Sequence, residues 1–140
     1  MELGVGRSRA AIPSAAAAVI LLDTNAVIWL AKGHRRARTL ERAPRLYLSP
    51  ASVLEVQFLV EIGRIQLAPG AAAVTLGDDP RWLLDEPAAG EWFSVAAEIG
   101  WTRDPFDRLL VAHARMRGWR LATADTVLLE HLSPRECLAL

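Results

Sequence analysis

The chain of 140 residues has one cysteine, Cys137, and one lysine, Lys32. A single cysteine excludes an intrachain disulfide and any cysteine-based zinc cage, and it is compatible with a reducing cytoplasm. Charge of one sign is also missing. Sixteen basic residues balance sixteen acidic ones, for a formal net charge of zero. No global field therefore draws the chain to a polyanion, and any contact with nucleic acid has to be local. Apart from Lys32 every basic residue is arginine. GC-rich coding explains this more simply than selection for bidentate phosphate contacts, although arginine suits them. His34, His113 and His131 are scattered and form no metal-binding set, so they are expected at the surface or in packing.

Long hydrophobic runs are absent as well. The apolar run that ends at Asp23 has about eight residues, far short of the ~20 that span a bilayer. Arg7 and Arg9 ahead of it resemble the start of a signal peptide, but no polar cleavage region follows. Residues 1–17 are read as a flexible extension and 18–140 as one domain without a membrane segment. No internal repeat, linker or low-complexity tract divides the chain.

What is present is an alternation of short apolar strands with patterned helices. Val19–Leu22 reads as a parallel strand covered on both faces, and Arg45–Leu48 and Trp119–Ala122 are two further strand candidates. Helices are expected over Ala26–Ala31, Arg35–Arg42 and from Ser49-Pro50 to about Ile62, where Gly63 offers a stop. Residues 68–78 are weakly patterned, and Asp78-Asp79-Pro80 is expected to open a short helix. Glu91–Ile99 and the segment from Asp104-Pro105 to Gly118 complete the helical set, with a short helix and an ambiguous terminus after Asp125. Strand–helix alternation implies an α/β sandwich with right-handed crossovers.

Four acids stand out on this frame. Asp23 follows the first strand directly, at the edge where open α/β sheets bind ligands. A plain helix cap is the alternative, although Thr24 and Asn25 could also cap. Glu55 lies among Val53, Leu54, Val56, Phe58 and Leu59, where a carboxylate is costly to bury unless paired or metal-bound. On its own it reads equally as a narrow solvent-facing stripe. Asp104 sits at a helix cap and Asp107 three residues on, so Asp107 is the better metal candidate. Asp125 follows the last strand candidate; alone it reads more simply as another cap. Thr123 is placed to donate to a neighbouring carboxylate or a metal-bound water. Acids gathered at one sheet edge call for a cation, and oxygen-only donors point to Mg2+ or Mn2+ rather than zinc.

The segments LLDTNAVIWLA, SPASVLEVQFLVEIGRIQL, TRDPFDRLLVAHA and LATAD, in this order over roughly residues 19–130, closely resemble PIN-domain ribonucleases, specifically the VapC-type toxins of bacterial toxin–antitoxin pairs. The middle segment 66–100 matches poorly, and the stretch before Val19 is unusual for the family.

The resemblance implies a PIN-like three-layer α/β/α sandwich with a small, mostly parallel sheet. It also implies Mg2+-dependent hydrolysis of RNA. Asp23 and Asp107 would be the metal ligands, Glu55 and Asp125 would complete the catalytic set, and Asp104 would assist. Thr24, Asn25, Arg103, Arg108 and Thr123 are candidate substrate contacts; for the two arginines, pairing with Asp107 and Asp104 along the helix is the alternative. The implied partners are an RNA substrate, a cognate VapB-like antitoxin and a second copy of the chain in a homodimer, with DNA reached only through the antitoxin. Trp29, Phe58 and Leu59 are expected to form an antitoxin groove or, alternatively, ordinary core. A purely antitoxin-binding module is the competing class. Phosphoaspartate chemistry is disfavoured, because Asn25 stands where a second aspartate is wanted and the only lysine comes early.

Overall fold

The computed structural model describes residues 19–67 and 70–140. The flexible extension expected over residues 1–17 lies outside the described residues. Among the described residues five strands form one sheet: β1 (Val19–Leu22), β2 (Arg45–Leu48), β3 (Leu83–Leu84), β4 (Arg120–Thr123) and β5 (Cys137–Ala139). Their order is β3-β2-β1-β4-β5, and every pair is parallel. The chain leaves β1 toward β2 on one side and returns to β4 on the other. The carboxyl ends of β1 and β4 therefore flank a topological switch point, the place where such sheets bind ligands.

Strand periodicity divides the core in two. Ile20, Leu22, Leu46, Leu48 and Ala122 face one layer, together with Val27, Leu40, Leu76 and Trp82. Leu21 and Leu121 face the other, against Trp92, Leu110, Val111 and Leu128. Successive side chains on opposite faces are what a pleated strand dictates. On the first side lie α1 (Thr24–Lys32), a 3-10 helix (Arg35–Arg42) and α3 (Ala72–Gly77); on the second lie α4 (Ala89–Ala97), α5 (Pro105–Arg117) and α6 (Thr126–His131). Helix α2 (Pro50–Glu61) contributes Val56 to the first cluster and Ala51 to the second. The three-layer α/β/α sandwich is thus the observed architecture.

Local signals place the helix ends. Ser49 caps α2 through a bond from Ala51 N at 3.2 Å, with Pro50 in the first turn. Asp104 caps α5, with Pro105 next, and Gly118 ends it at φ 70°, a left-handed conformation that glycine adopts without a Cβ clash.

Three expectations need correction. Asp78-Asp79-Pro80 does not open a helix; the helix is α3, just before it, and the Asp79 carboxylate folds back on Arg81, with bonds of 2.6 to 3.0 Å. That turn feeds the edge strand β3, whose two residues are too few to display a period. The third strand candidate is shifted by one residue, to Arg120–Thr123, and the ambiguous tail supplies β5. Two short edge strands therefore extend a sheet whose centre alone was expected.

Candidate metal centre

Asp23 and Asp125 are carried to the same place because β1 and β4 pair in parallel, with Leu22 opposite Ala122. Asp23 N donates to Ala122 O at 3.1 Å, which ties the two strand ends together. The Asp23 side chain, only 5 % exposed, accepts from Ala26 N at 2.7 Å and so caps α1 itself. Thr24 and Asn25 do not share that task; the cap and the ligand readings of Asp23 are compatible, since one bond leaves a second carboxylate oxygen. Asp125 likewise caps α6, accepting from Val127 N at 2.8 Å and Leu128 N at 3.1 Å. Thr123, fully buried, accepts from Asp125 N at 3.0 Å, and its hydroxyl acts to lower the Asp23 carboxyl.

Glu55 enters from α2. Its Oε1 accepts from the Thr24 hydroxyl at 2.5 Å, and the Thr24 oxygen lies 3.2 Å from the Ser52 hydroxyl. A threonine hydroxyl has one proton, so Thr24 donates to Glu55 while Ser52 donates to Thr24. This relay aims Glu55 inward, away from the solvent-facing stripe. From α5, Asp104 accepts from Phe106 N at 2.8 Å and Asp107 N at 3.2 Å, which makes it the cap, as its position suggested. Asp107 has no such partner among the described residues.

The five carboxylates of Asp23, Glu55, Asp104, Asp107 and Asp125 line one cleft of about 220 Å3, with Thr24, Asn25, Leu59, Leu110 and Arg64. Their electrostatics follow. Burial, reinforced by the charges of Asp104, Asp125, Glu55 and Asp23, pushes the Asp107 carboxyl up to about 7. Burial raises Asp23 to about 6 against the opposing bonds from Thr123 and Ala26, with Glu55 and Asp125 adding repulsion. Glu55 is raised too, by burial first and by Asp104, with the Thr24 bond acting the other way. Crowded acids that hold protons near neutrality are the signature of a site short of positive charge. Among the described residues, no three acidic, histidine or cysteine side chains stand close enough to hold an ion as they are. The donor set nevertheless fits a hard divalent cation, all oxygen and without thiolate or imidazole.

The two arginines proposed as substrate contacts are placed elsewhere. Arg108 Nε donates to Thr102 O at 2.7 Å and its Nη1 to Ala97 O at 3.4 Å, so it pairs with neither Asp104 nor Asp107. Arg103 is exposed and does not line the cleft. The basic residue that does is Arg64, which sequence reasoning missed. Its signal was weak but present: Leu59 lies one turn beyond Glu55, and Arg64 follows directly on the helix-ending Gly63. His34 stacks on Trp29 and His131 on Trp101, whereas His113 is completely buried, bound to Ser49 and Asp85.

A family model for the PIN domain matches residues 20–132. Fold, acidic sheet edge and family match together define the class: the chain belongs to the PIN-domain family. At the level of individual proteins, it is 32 % identical over 123 residues to Ribonuclease VapC22 of Mycobacterium tuberculosis, covering 83 % of this chain and 94 % of that one. Among solved structures it resembles a toxin–antitoxin complex from Klebsiella pneumoniae, with a TM-score of 0.64 at 18 % identity over 86 % of this chain and 96 % of the other, a likeness of fold.

Proposed function

We propose that this protein is a divalent-metal-dependent endoribonuclease, the toxin of a VapBC-type pair. The observation that carries the reading is the cleft where five carboxylates meet at the ends of β1 and β4, with Asp107 held near pH 7 by burial and mutual repulsion. The relative named Ribonuclease VapC22 supports ribonucleic acid as the substrate class. Mg2+, or Mn2+ in its place, would be held by Asp23 and Asp107, with Asp125, Glu55 and Asp104 around them. When bound, such an ion offsets the carboxylate charge and lowers the pKa of a coordinated water. The chain's own contribution is orientation. Thr24 fixes Glu55 where it can accept a proton from an attacking water, and Thr123 holds Asp23 and the Asp125 backbone in register.

A small antitoxin and a second copy of the chain are the proposed partners, with DNA reached only through the antitoxin. The antitoxin groove is proposed at Trp29, Phe58 and Leu59. Trp29 is half-buried under His34 and Arg36, whereas Phe58, 47 % exposed, lies edge-on to Phe106 beside the cleft that Leu59 lines. Among the described residues no helix is long and apolar enough to cross a membrane.

The test is RNA hydrolysis by the purified chain with Mg2+ or Mn2+, with EDTA, and with Asp107→Asn. Cleavage lost in the last two conditions supports the reading. Equal cleavage in all of them would overturn it, and no cleavage in any, with antitoxin binding intact, would favour the regulatory-module alternative.

A further inference from the structure

The acidic cleft poses a problem for the substrate proposed for it. A phosphodiester is itself an anion, and five carboxylates surround the place it must reach. A bound divalent ion would offset part of that charge only. Because the whole chain is formally neutral, basic residues outside the acidic set balance it, and what matters is which of them reaches the cleft.

Arg64 is the one basic residue lining the cleft among the described residues. Its backbone is held firmly: Arg64 N donates to Leu59 O at 2.8 Å, and Gly63, at φ 78°, makes the left-handed turn that closes helix α2. Its side chain is exposed and, among the described residues, makes no ion pair or hydrogen bond. Several other arginines are committed and none of them lines the cleft. Arg81 is bound to Asp79, Arg115 to Glu136, Arg117 to Asp85, and Arg108 and Arg120 to backbone carbonyls. Arg64 therefore stands at a rim of acids and is bound to none of them, with its planar fork left to meet an incoming anion.

We infer that Arg64 is the substrate-phosphate contact of this cleft, the cation that receives a non-bridging phosphate oxygen of the RNA backbone at the α2 side. The inference rests on the ribonuclease reading and deepens it. A phosphate contact positions the strand and carries no base information, so Arg64 acts on affinity for RNA of any sequence. Mediating metal binding is not its role, because its charge opposes a cation.

The experiment compares the wild-type chain with Arg64→Ala and Arg64→Lys. Binding of a fluorescein-labelled, random-sequence single-stranded oligoribonucleotide is measured with Ca2+ across a salt series, digestion of total bacterial RNA with Mg2+, and Mn2+ affinity by calorimetry. Arg64→Ala should weaken RNA binding about tenfold, the worth of one charge-assisted contact. The slope of log affinity against log salt should become shallower by about 0.7, as for one lost phosphate contact on a single strand. Mn2+ affinity should stay the same or rise, and Arg64→Lys should recover part of the RNA affinity. Unchanged RNA affinity and slope in Arg64→Ala, with the wild type active, overturns the assignment alone; so does a parallel loss of Mn2+ affinity. A wild type that neither binds nor digests RNA overturns the ribonuclease reading and this inference with it.

Discussion

Two polar clusters in this molecule use similar side chains to opposite ends. In one, His113 is wholly buried, with Nδ1 3.0 Å from the Ser49 hydroxyl and Nε2 2.7 Å from Asp85 Oδ2, and Arg117 Nε donates to the same carboxylate at 2.8 Å. Donors and acceptors match there. Ser49 accepts from Ala51 N and can donate to Nδ1, which leaves Nε2–H for Asp85. Burial acts to raise Asp85, but Arg117 and His113 outweigh it and hold the carboxyl below its usual range. In the other cluster, five acids crowd one cleft and Asp23, Glu55 and Asp107 are all pushed upward. Ser, His and Asp in contact are therefore no guide to function here, because the sealed network is satisfied from within. The exposed cleft is satisfied only by something brought from outside.

The largest effect that would break this contrast is on catalysis. Asp107→Asn should lower metal-dependent RNA cleavage by about 10²–10³-fold, the range for loss of a preorganised electrostatic group. The fold should stay intact, because among the described residues the Asp107 carboxylate makes no hydrogen bond or ion pair. Initial rates at saturating Mg2+, together with circular dichroism, check both halves.

Next in size is the sealed network. His113→Ala should cost about 2–4 kcal/mol in urea unfolding, since it opens a void and leaves Asp85 and Ser49 short of partners. A loss below about 0.5 kcal/mol, the ordinary range for surface changes, would show that the network is not structural.

The two clusters should also oppose each other in pH dependence. Asp23 and Asp107 bind protons more tightly when folded, so their contribution to the stability of the metal-free chain is lost as pH rises from about 3.8 through 6 and 7. His113, driven below 6.5 mainly by burial, acts with the other sign: its stabilisation is full above 6.5 and fades as pH falls below it. Thermal midpoints against pH should rise on the alkaline side in the Asp23→Asn, Asp107→Asn double variant, or when Mn2+ is added to the wild type. An alkaline limb unaffected by either would contradict the crowding argument.

The smallest effect concerns aim rather than charge. Thr24→Val keeps the shape and removes the hydroxyl that holds Glu55, so kcat should drop about tenfold with Mg2+ affinity nearly unchanged. A change confined to KM would place Thr24 on the substrate instead.

Much of this was legible in the chain. Ser49-Pro50, Asp104-Pro105 and Gly118 announce helix ends by local chemistry, and three of the five strands among the described residues announce themselves as apolar runs. Asp23, Glu55, Asp107 and Asp125 were singled out and do line one cleft. What stayed hidden has a common cause. Strands β3 and β5, of two and three residues, are too short to carry a period and exist because a neighbouring strand offers them an edge. His113 reaches Ser49 across 64 residues and Asp85 across 28, distances at which spacing carries no information. Arg108 stands beside Asp107 in sequence but is taken by carbonyls, whereas Arg64 lies far off in sequence and lines the cleft.

By itself, then, the order of residues determined the three central strands, most of the helices with their caps, and the family, because each depends on groups within a few positions of one another. Only the tertiary structure decided which acids share a cleft, which of them hold a proton near neutrality and which arginine faces them. The reason is the sheet order. Parallel pairing sets Leu22 against Ala122 and so brings Asp23 and Asp125, distant in sequence, to one edge. Through-space repulsion and lost hydration act there between groups that no periodicity connects.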